Sequence, residues 1–433
     1  MRIPRLMLIA SVTALAAVLA GCGAAASSAS TVKGPLVVGG VIAITGTSSF
    51  EGSNQSEGIL PAIYEINHAG GVLGHKLVYK GGDTRGDPAD ALPAVQQMLA
   101  TTSNLVMVAG PGTASAPTIV PVLNSAHIPM TAVAGESAYD QSKYPYFWRL
   151  FPPDSANGTA MALWAQRKGY TKVAAVFGSD PGSQGDLPGV IQSLKALHVG
   201  IVANITLTPN QSSYQSQVNQ LIAAHPQVIM TEEPAGTAGT FFGELKSLGG
   251  LVPIIGTEAT YTSPWLTAVK GALGATDFRK YFTSVIAAPS KPTPAVTAWK
   301  NAVKGAASQL PVSASVAEIN PFAITYYDGM IGMALAMVAA KSVKPTVFNS
   351  YMAKVCNPGP GKTVVYSFAQ GVKALQAGKQ IQYYGATGLI DFNKYHNSYG
   401  NQEAVTLSAT GTTISLGTIP VSAIEAIKVT GVA

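Results

Sequence analysis

From residue 36 onward the chain alternates short, continuous apolar runs with longer stretches whose apolar residues recur every three or four positions. The first pattern predicts strands buried on both faces, and the second predicts helices with one buried side. Residues 36–44 (LVVGGVIAI) predict the first strand. A helix over 55–68 follows, with Ile59, Ile63 and Ile66 on one side and Gly70-Gly71 as its stop. Residues 76–80 predict the second strand. Asp87-Pro88 then supplies an N-cap and a first-turn proline for a helix carrying Leu92, Val95 and Leu99. A strand over 105–109, a helix over 115–126 and a strand over 128–133 complete this run. The pattern breaks at 145–153, where Pro145, Pro152 and Pro153 interrupt it.

It then restarts, with helices over 156–168, 187–197, 213–224 and 237–248. Strands over 172–177, 200–205, 227–231 and 252–255 lie between and after them. Strand–helix alternation of this kind implies parallel, doubly wound sheets. Two such rounds imply an α/β protein of two Rossmann-like lobes. The cleft between them should open at the carboxyl ends of the strands, where open α/β sheets take ligands.

Composition narrows the class. At 433 residues the chain is long enough for more than one core, and 47% hydrophobic against 11% charged residues excludes compositional disorder. The N-terminal segment reads as an export signal and not as part of the fold. Arg2 and Arg5 precede the apolar stretch 6–20, which is short for a membrane span. Leu19-Ala20-Gly21-Cys22 looks like a lipobox, predicting a signal peptide over 1–21, lipidation at Cys22 and a flexible tether over 22–35. The expected location is extracytoplasmic, anchored to the cell membrane. Removing 1–21 takes away two arginines and no acid, so the remaining basic excess is modest. It contains no basic run that would point to nucleic acid. With Cys22 acylated, Cys356 has no partner for a disulfide. It reads as an idle thiol in a Gly/Pro loop. The apolar segment 329–340 is about half a membrane span and predicts a buried helix.

Enzyme and cofactor motifs fail on inspection. Gly110-Pro111-Gly112 lies between a strand and a helix, but Ser115 stands where a dinucleotide fingerprint needs its third glycine. Gly361-Lys362-Thr363 ends like a phosphate-binding loop, but Cys356 occupies the required glycine position. There is no nucleophile-elbow motif and no histidine pair at metal-ligand spacing. No cofactor and no metal are expected, and the protein is read as a binding protein and not an enzyme.

Several stretches resemble the branched-chain amino-acid receptor family, the type I periplasmic binding proteins that serve ABC importers. Ile44-Thr45-Gly46 with Phe50 and Gly52 is similar to its first loop. Glu65-Ile66-Asn67, Gly70-Gly71 and Gly74-His75-Lys76-Leu77 resemble its most specific segment. Asp83, Asp87-Pro88 and Ala91, then Gly110-Pro111, Phe147-Trp148-Arg149, Tyr327-Asp328-Gly329, and Gly385-Ala386-Thr387-Gly388 with Asp391-Phe392 extend the likeness over about 36–395. The resemblance implies two Rossmann-like lobes joined by a three-segment hinge. Lobe 1 would comprise 36–150 and 290–395, and lobe 2 would comprise 151–289 and 396–433. It also implies capture of a small polar ligand by hinge closure and delivery to a membrane permease.

The resemblance also suggests where a ligand is held. Thr113, Ala114 and Ser115 fall where the family binds a ligand carboxylate, and backbone N–H groups at a helix start suit an anion. Thr113 or Ser115 can equally cap the following helix. Ala134 and Glu136 fall where the family offers a backbone carbonyl and a Thr. Glu258 falls where it meets the ligand's ammonium. Gln184 and Glu233 (or Glu232) stand near two family Tyr positions. Phe50 sits where an aromatic covers the ligand, or it packs at the hinge. Of 11 Glu in the chain, Glu136, Glu232, Glu233 and Glu258 fall on loops at predicted strand ends. Carboxylates gathered in a cleft repel unless a cation joins them. The expectation is a ligand richer in positive charge or N–H groups than leucine: a basic amino acid, polyamine, amide or urea. The alternative is that some of these Glu face solvent. Two other readings stay open, a sensor for a membrane signalling partner and an exported hydrolase using the cleft carboxylates.

Overall fold

In the computed structural model, which describes residues 32–46, 49–288 and 292–427, the side chains of Phe50 and Glu51 excepted, every apolar run read from the sequence forms a strand. β1 (Leu36–Ile42), β2 (Leu77–Asp83), β3 (Leu105–Ala109), β4 (Met130–Ala132) and β5 (Phe147–Arg149) make one sheet in the order β2-β1-β3-β4-β5. All of its pairings are parallel. Between them run α1 (Ser49–His68), α2 (Pro88–Thr101) and α3 (Ala116–Ser125). β5 lies inside the segment where the sequence pattern breaks. Three residues are too few to show a period among the flanking prolines.

The second round builds a larger sheet from β6 (Lys172–Gly178), β7 (Gly200–Leu207), β8 (Val228–Glu232), β9 (Ile254–Gly256) and β10 (Phe282–Ala287). Its helices are α4 (Asp154–Arg167), α5 (Pro181–Ala196), α6 (Gln215–Ala223), α7 (Ala235–Ser247) and α8 (Ser263–Tyr281). β11 (Thr363–Val365), β12 (Ile381–Gly385) and β13 (Gly388–Leu389) form a small third sheet, preceded by α9 (Pro294–Ala306). β14 (Gln402–Leu407) and β15 (Thr413–Ile419) return to the second sheet and pair antiparallel at its edge, giving the order β15-β14-β10-β9-β8-β6-β7.

The continuous apolar runs follow from what covers each face. Along β6, Val173, Ala175 and Phe177 join one buried cluster, while Ala174 and Val176 join another on the opposite face. Side chains alternate across a strand, so a strand covered by helices on both faces must be apolar at every position. Helix faces were less legible. α2 buries Ala91, Val95 and Met98, and leaves Leu92 exposed. Both stripes have helical spacing, and only the packing chooses between them. Asp87 does cap α2, accepting from the Ala89 N–H at 2.8 Å. Asp87→Ala is expected to lose about 1 kcal/mol of stability in urea unfolding.

The apolar segment near 329–340 belongs to a longer helix, Pro321–Ala340. Among the described residues it is the helix long and apolar enough to cross a membrane, and it is buried in the fold. It lies against α1 so closely that a Cβ on Gly58 would collide with the Ala323 carbonyl. Cys356 is fully buried at the end of the helix Met352–Cys356, not in a loop. Burial pushes its thiol far above the usual range, which leaves it inert.

The segments that carried the family likeness are structural ties. Asn67 brackets Leu77, accepting from its N–H at 2.7 Å and donating to its carbonyl at 2.8 Å. Glu65 accepts from the Tyr327 hydroxyl and from the Phe368 N–H at 2.8 Å. Asp328, fully buried, accepts from Tyr383, from the Ala386 N–H, and from both the N–H and hydroxyl of Thr387. A buried carboxylate is tolerated there because these donors satisfy it.

Candidate functional site

Parallel sheets deliver their carboxyl ends, and the loops that follow, to one edge. From the first sheet come the turn Thr113–Ser115 after β3 and residues 133–139 after β4. From the second come the start of α5 after β6, residues 232–234 ending β8, and the turn Glu258–Tyr261 after β9. The turn Thr113–Ser115 packs against α5, so the two sets of loops meet. The Asp154 N–H, at the start of α4, donates to the Gly135 carbonyl at 2.9 Å.

Carboxylates gather at this meeting. Asp154 is set between two glycines. A Cβ on either Gly135 or Gly185 would collide with its carboxylate. Burial pushes the Asp154 carboxyl well above its ordinary range. Glu136 and Glu232 raise it further, and Arg149 pulls it back. Asp186, in α5, is likewise raised well above its ordinary range by burial and by Asp154, Glu232 and Glu258. Glu232 accepts from the Thr257 hydroxyl at 2.5 Å, and burial pushes it up to about 7. Burial raises Glu258 to about 8, the nearby Ala287 N–H offsetting part. Burial raises Glu136 to about 7, partly offset by its own backbone N–H and by Arg149. Both oxygens of Glu136, both of Glu258 and Oδ1 of Asp186 are buried without a hydrogen-bond partner.

The cation beside this group is already engaged. Arg149, fully buried on β5, donates to Asp140 Oδ1 at 2.6 Å, to Asn397 Oδ1 at 2.9 Å, and to the Ala134 and Glu136 carbonyls at 3.2 Å each. Its backbone pairs with the returning chain, from Arg149 N to the His396 carbonyl at 3.0 Å and from Ser398 N to the Arg149 carbonyl at 2.8 Å. Trp148 stacks on His396 at 3.8 Å between ring centres. Arg149 thus holds two crossing segments and the loop after β4 together, and its fork has no direct contact with the Glu136 carboxylate.

The residues expected from the sequence divide accordingly. Thr113 and Ala114 are half-buried and Ser115 is buried. Neither Thr113 nor Ser115 caps a helix, because no side-chain cap bond is made there. The capping alternative for those hydroxyls is therefore corrected. The Ala134 carbonyl is held by Arg149. The Gln184 amide turns back to the Gly178 carbonyl at 2.5 Å. Glu233 parts from its neighbour. It accepts from the Thr231 hydroxyl and from the Trp265 indole N–H at 3.2 Å, and it is not among the groups that raise Asp186. Consecutive positions at a strand end point in opposite directions, so Glu232 and not Glu233 joins the row. The Phe50 side chain lies outside the described residues, as do Cys22 and the segment 1–21. Asp154 and Asp186 were missed because their helices begin at 154 and 181, ahead of the predicted starts at 156 and 187. The signal was present in the proline at each helix start, Pro153 at the N-cap of α4 and Pro181 opening α5.

Comparison with known proteins bears on what such a site does. Residues 35–389 match the family described as periplasmic binding protein. Among solved structures, the chain superposes on the branched-chain amino acid transporter substrate binding protein LivJ from Streptococcus pneumoniae, in complex with isoleucine. The TM-score is 0.69 at 17% identity, covering 89% of this chain and 99% of that one. A leucine binding protein LivK from Thermotoga maritima gives a TM-score of 0.69 at 15% identity over 89% and 99%. An ABC transporter solute binding protein from R. palustris, in complex with benzoate, gives 0.70 at 17% identity over 89% and 97%. At these identities the likeness is one of fold: two α/β lobes. A curated relative, Glutamate receptor 2.4 of Arabidopsis thaliana, is 20% identical over 337 residues, which is 73% of this chain and 34% of that protein. The chain thus spans about a third of that relative's length.

Proposed function

The chain belongs to the periplasmic binding protein family, and we propose from that premise that it is an extracytoplasmic receptor which closes two lobes on a small polar solute and hands it to an ABC importer. Lobe 1 comprises 36–150 and 290–395, and lobe 2 comprises 151–289 and 396–433. The proposal keeps the export signal over 1–21 and the lipid anchor at Cys22, on the strength of the sequence alone. One observation carries the reading. Carboxylates from both sides of the meeting, Glu136 on one and Asp186 and Glu258 on the other, have buried oxygens with no partner. Buried polar groups in a finished fold are paired, so these await a partner that arrives with a ligand. The turn Thr113–Ser115, which packs against α5, would add the Thr113 and Ser115 hydroxyls and the Ala114 N–H to the ligand's partners. A sensor role finds support in the curated relative's name. It is the weaker reading, because the match spans so little of that protein.

The function is tested on protein purified without unfolding. Small molecules released by acid are identified by mass spectrometry and returned to stripped protein. One solute at unit stoichiometry, recovered unchanged, is the expected result. Absence of any such solute would sink the receptor reading, and a chemically altered one would move the protein to the hydrolases. Gly185→Ala gives a second readout. Alanine favours the helix by up to about 1 kcal/mol, but its methyl collides with Asp154. Stability should hold while affinity for the returned solute drops about tenfold, equivalent to about 1.4 kcal/mol.

A further inference from the structure

The carboxylates form a row. Glu136 acts on Asp154, Asp154 on Asp186, and Glu258 on Asp186 as well, with Glu232 between. The two ends of the row, Glu136 and Glu258, each have both oxygens buried without a side-chain partner, and the hydrogen bond that favours each charged form comes from a backbone N–H, that of Glu136 itself and that of Ala287. Of the other charged groups nearby, Asp180 is taken up by Ser183, Glu233 by Thr231 and Trp265, and Arg149 by Asp140. A metal ion does not fit. Among the described residues no three His, Cys, Asp or Glu side chains are arranged to hold one. What is missing is positive charge spread over a length, carried on groups that donate several hydrogen bonds.

We propose that the solute is an organic dication, a molecule with two ammonium or guanidinium groups, one bound at Glu136 and Asp154 and the other at Glu258 and Asp186. This rests on the receptor reading above and names the class of solute for it. An ammonium supplies three donors and a guanidinium five, which suits carboxylates lacking partners. A single ammonium would compensate one end and leave the other unpaired. A neutral or anionic solute would leave both ends without a cation, so that each must either stay protonated or carry an unpaired buried charge. Because burial holds these carboxyls partly protonated near neutrality, a dication that ionises them must expel protons. Its affinity should therefore rise with pH.

The test is titration calorimetry on stripped protein with putrescine, cadaverine, agmatine, lysine and arginine, against leucine, glutamate, benzoate and urea. The pairs cadaverine–lysine and agmatine–arginine differ by an α-carboxylate, and so separate a diamine from a basic amino acid. At least one dication should bind at least tenfold more tightly than any other compound. Its affinity should rise at least tenfold between about pH 6 and about pH 8. Glu136→Gln and Glu258→Gln should each weaken it at least tenfold without lowering the melting temperature of empty protein. A tightest ligand that is neutral or anionic, or an affinity indifferent to both substitutions, would overturn the dication. It would do so while leaving a functioning receptor. Silence from every cation would overturn it too, and the receptor reading would then stand or fall on the solute released from native protein.

Discussion

Ligand-free protein should lose stability as pH rises from about 5 to about 8, the reverse of ordinary acid denaturation. Glu258 and Glu233 are raised to about 8, and Glu136 and Glu232 to about 7, burial being the leading cause for each. The unfolded chain releases these protons near the ordinary Glu value of 4.5. Between that value and the folded one, the native state holds more protons than the unfolded state, so each rise in pH favours unfolding. The stability these groups retain at low pH is lost as pH climbs through their folded values. One unit of separation is worth about 1.4 kcal/mol, so Glu258 alone contributes on the order of 4 kcal/mol, and the row more. Urea unfolding of stripped protein at about pH 5 and about pH 8 measures it. Glu258→Gln should flatten the dependence and raise stability at the higher pH. A midpoint that stays constant, or rises with pH, would show that the carboxylates are hydrated after all.

Arg149→Met should cost about 1–3 kcal/mol, the usual loss when buried acceptors are left without their donor, Asp140 itself keeping some solvent. Arg149 is fully buried, and its fork serves Asp140, Asn397 and the carbonyls of Ala134 and Glu136. Methionine fills much of the volume but donates nothing. The substitution takes a donor from four acceptors, of which the Glu136 carbonyl keeps the Tyr139 N–H, and it removes the positive charge that lowers Asp154 and Glu136. Lysine should rescue little, since a single ammonium cannot span a site shaped for a planar fork. Equilibrium unfolding with a fluorescence probe near Trp148 reads the effect. A loss under about 1 kcal/mol would show that the crossing segments are held by their backbone pairing instead.

The strands were legible because burial on both faces leaves a mark that needs no partner to be read. The run 105–109 is apolar throughout, and it is the strand Leu105–Ala109 residue for residue. Helix starts were less legible. A proline at the first turn announces α5, yet the apolar period becomes visible only some residues later, and that delay hid Asp186. Register within a helix was harder still, as Leu92 and Ala91 show: both fit a stripe, and only a neighbouring surface selects one. The likeness in Glu65, Asn67 and Asp328 identified the family while its chemistry went to tying α1, β2 and the helix Pro321–Ala340 to their neighbours.

The sequence by itself determined two α/β rounds, the family, and the loops from which a site would be built, because these depend on local period and on short motifs. It also flagged an excess of acid on those loops. The tertiary structure alone decided which acids meet. Glu232 and Glu233 are neighbours in the chain, and strand geometry sends one toward Asp186 and the other to Trp265. Asp154 reached the row because the crossover brings it between Gly135 and Gly185, residues 19 and 31 positions away along the chain. Whether a carboxylate is solvated or shut away depends on what packs over it, and elements far apart in the chain supply that cover, as Gly135 and Gly185 do for Asp154.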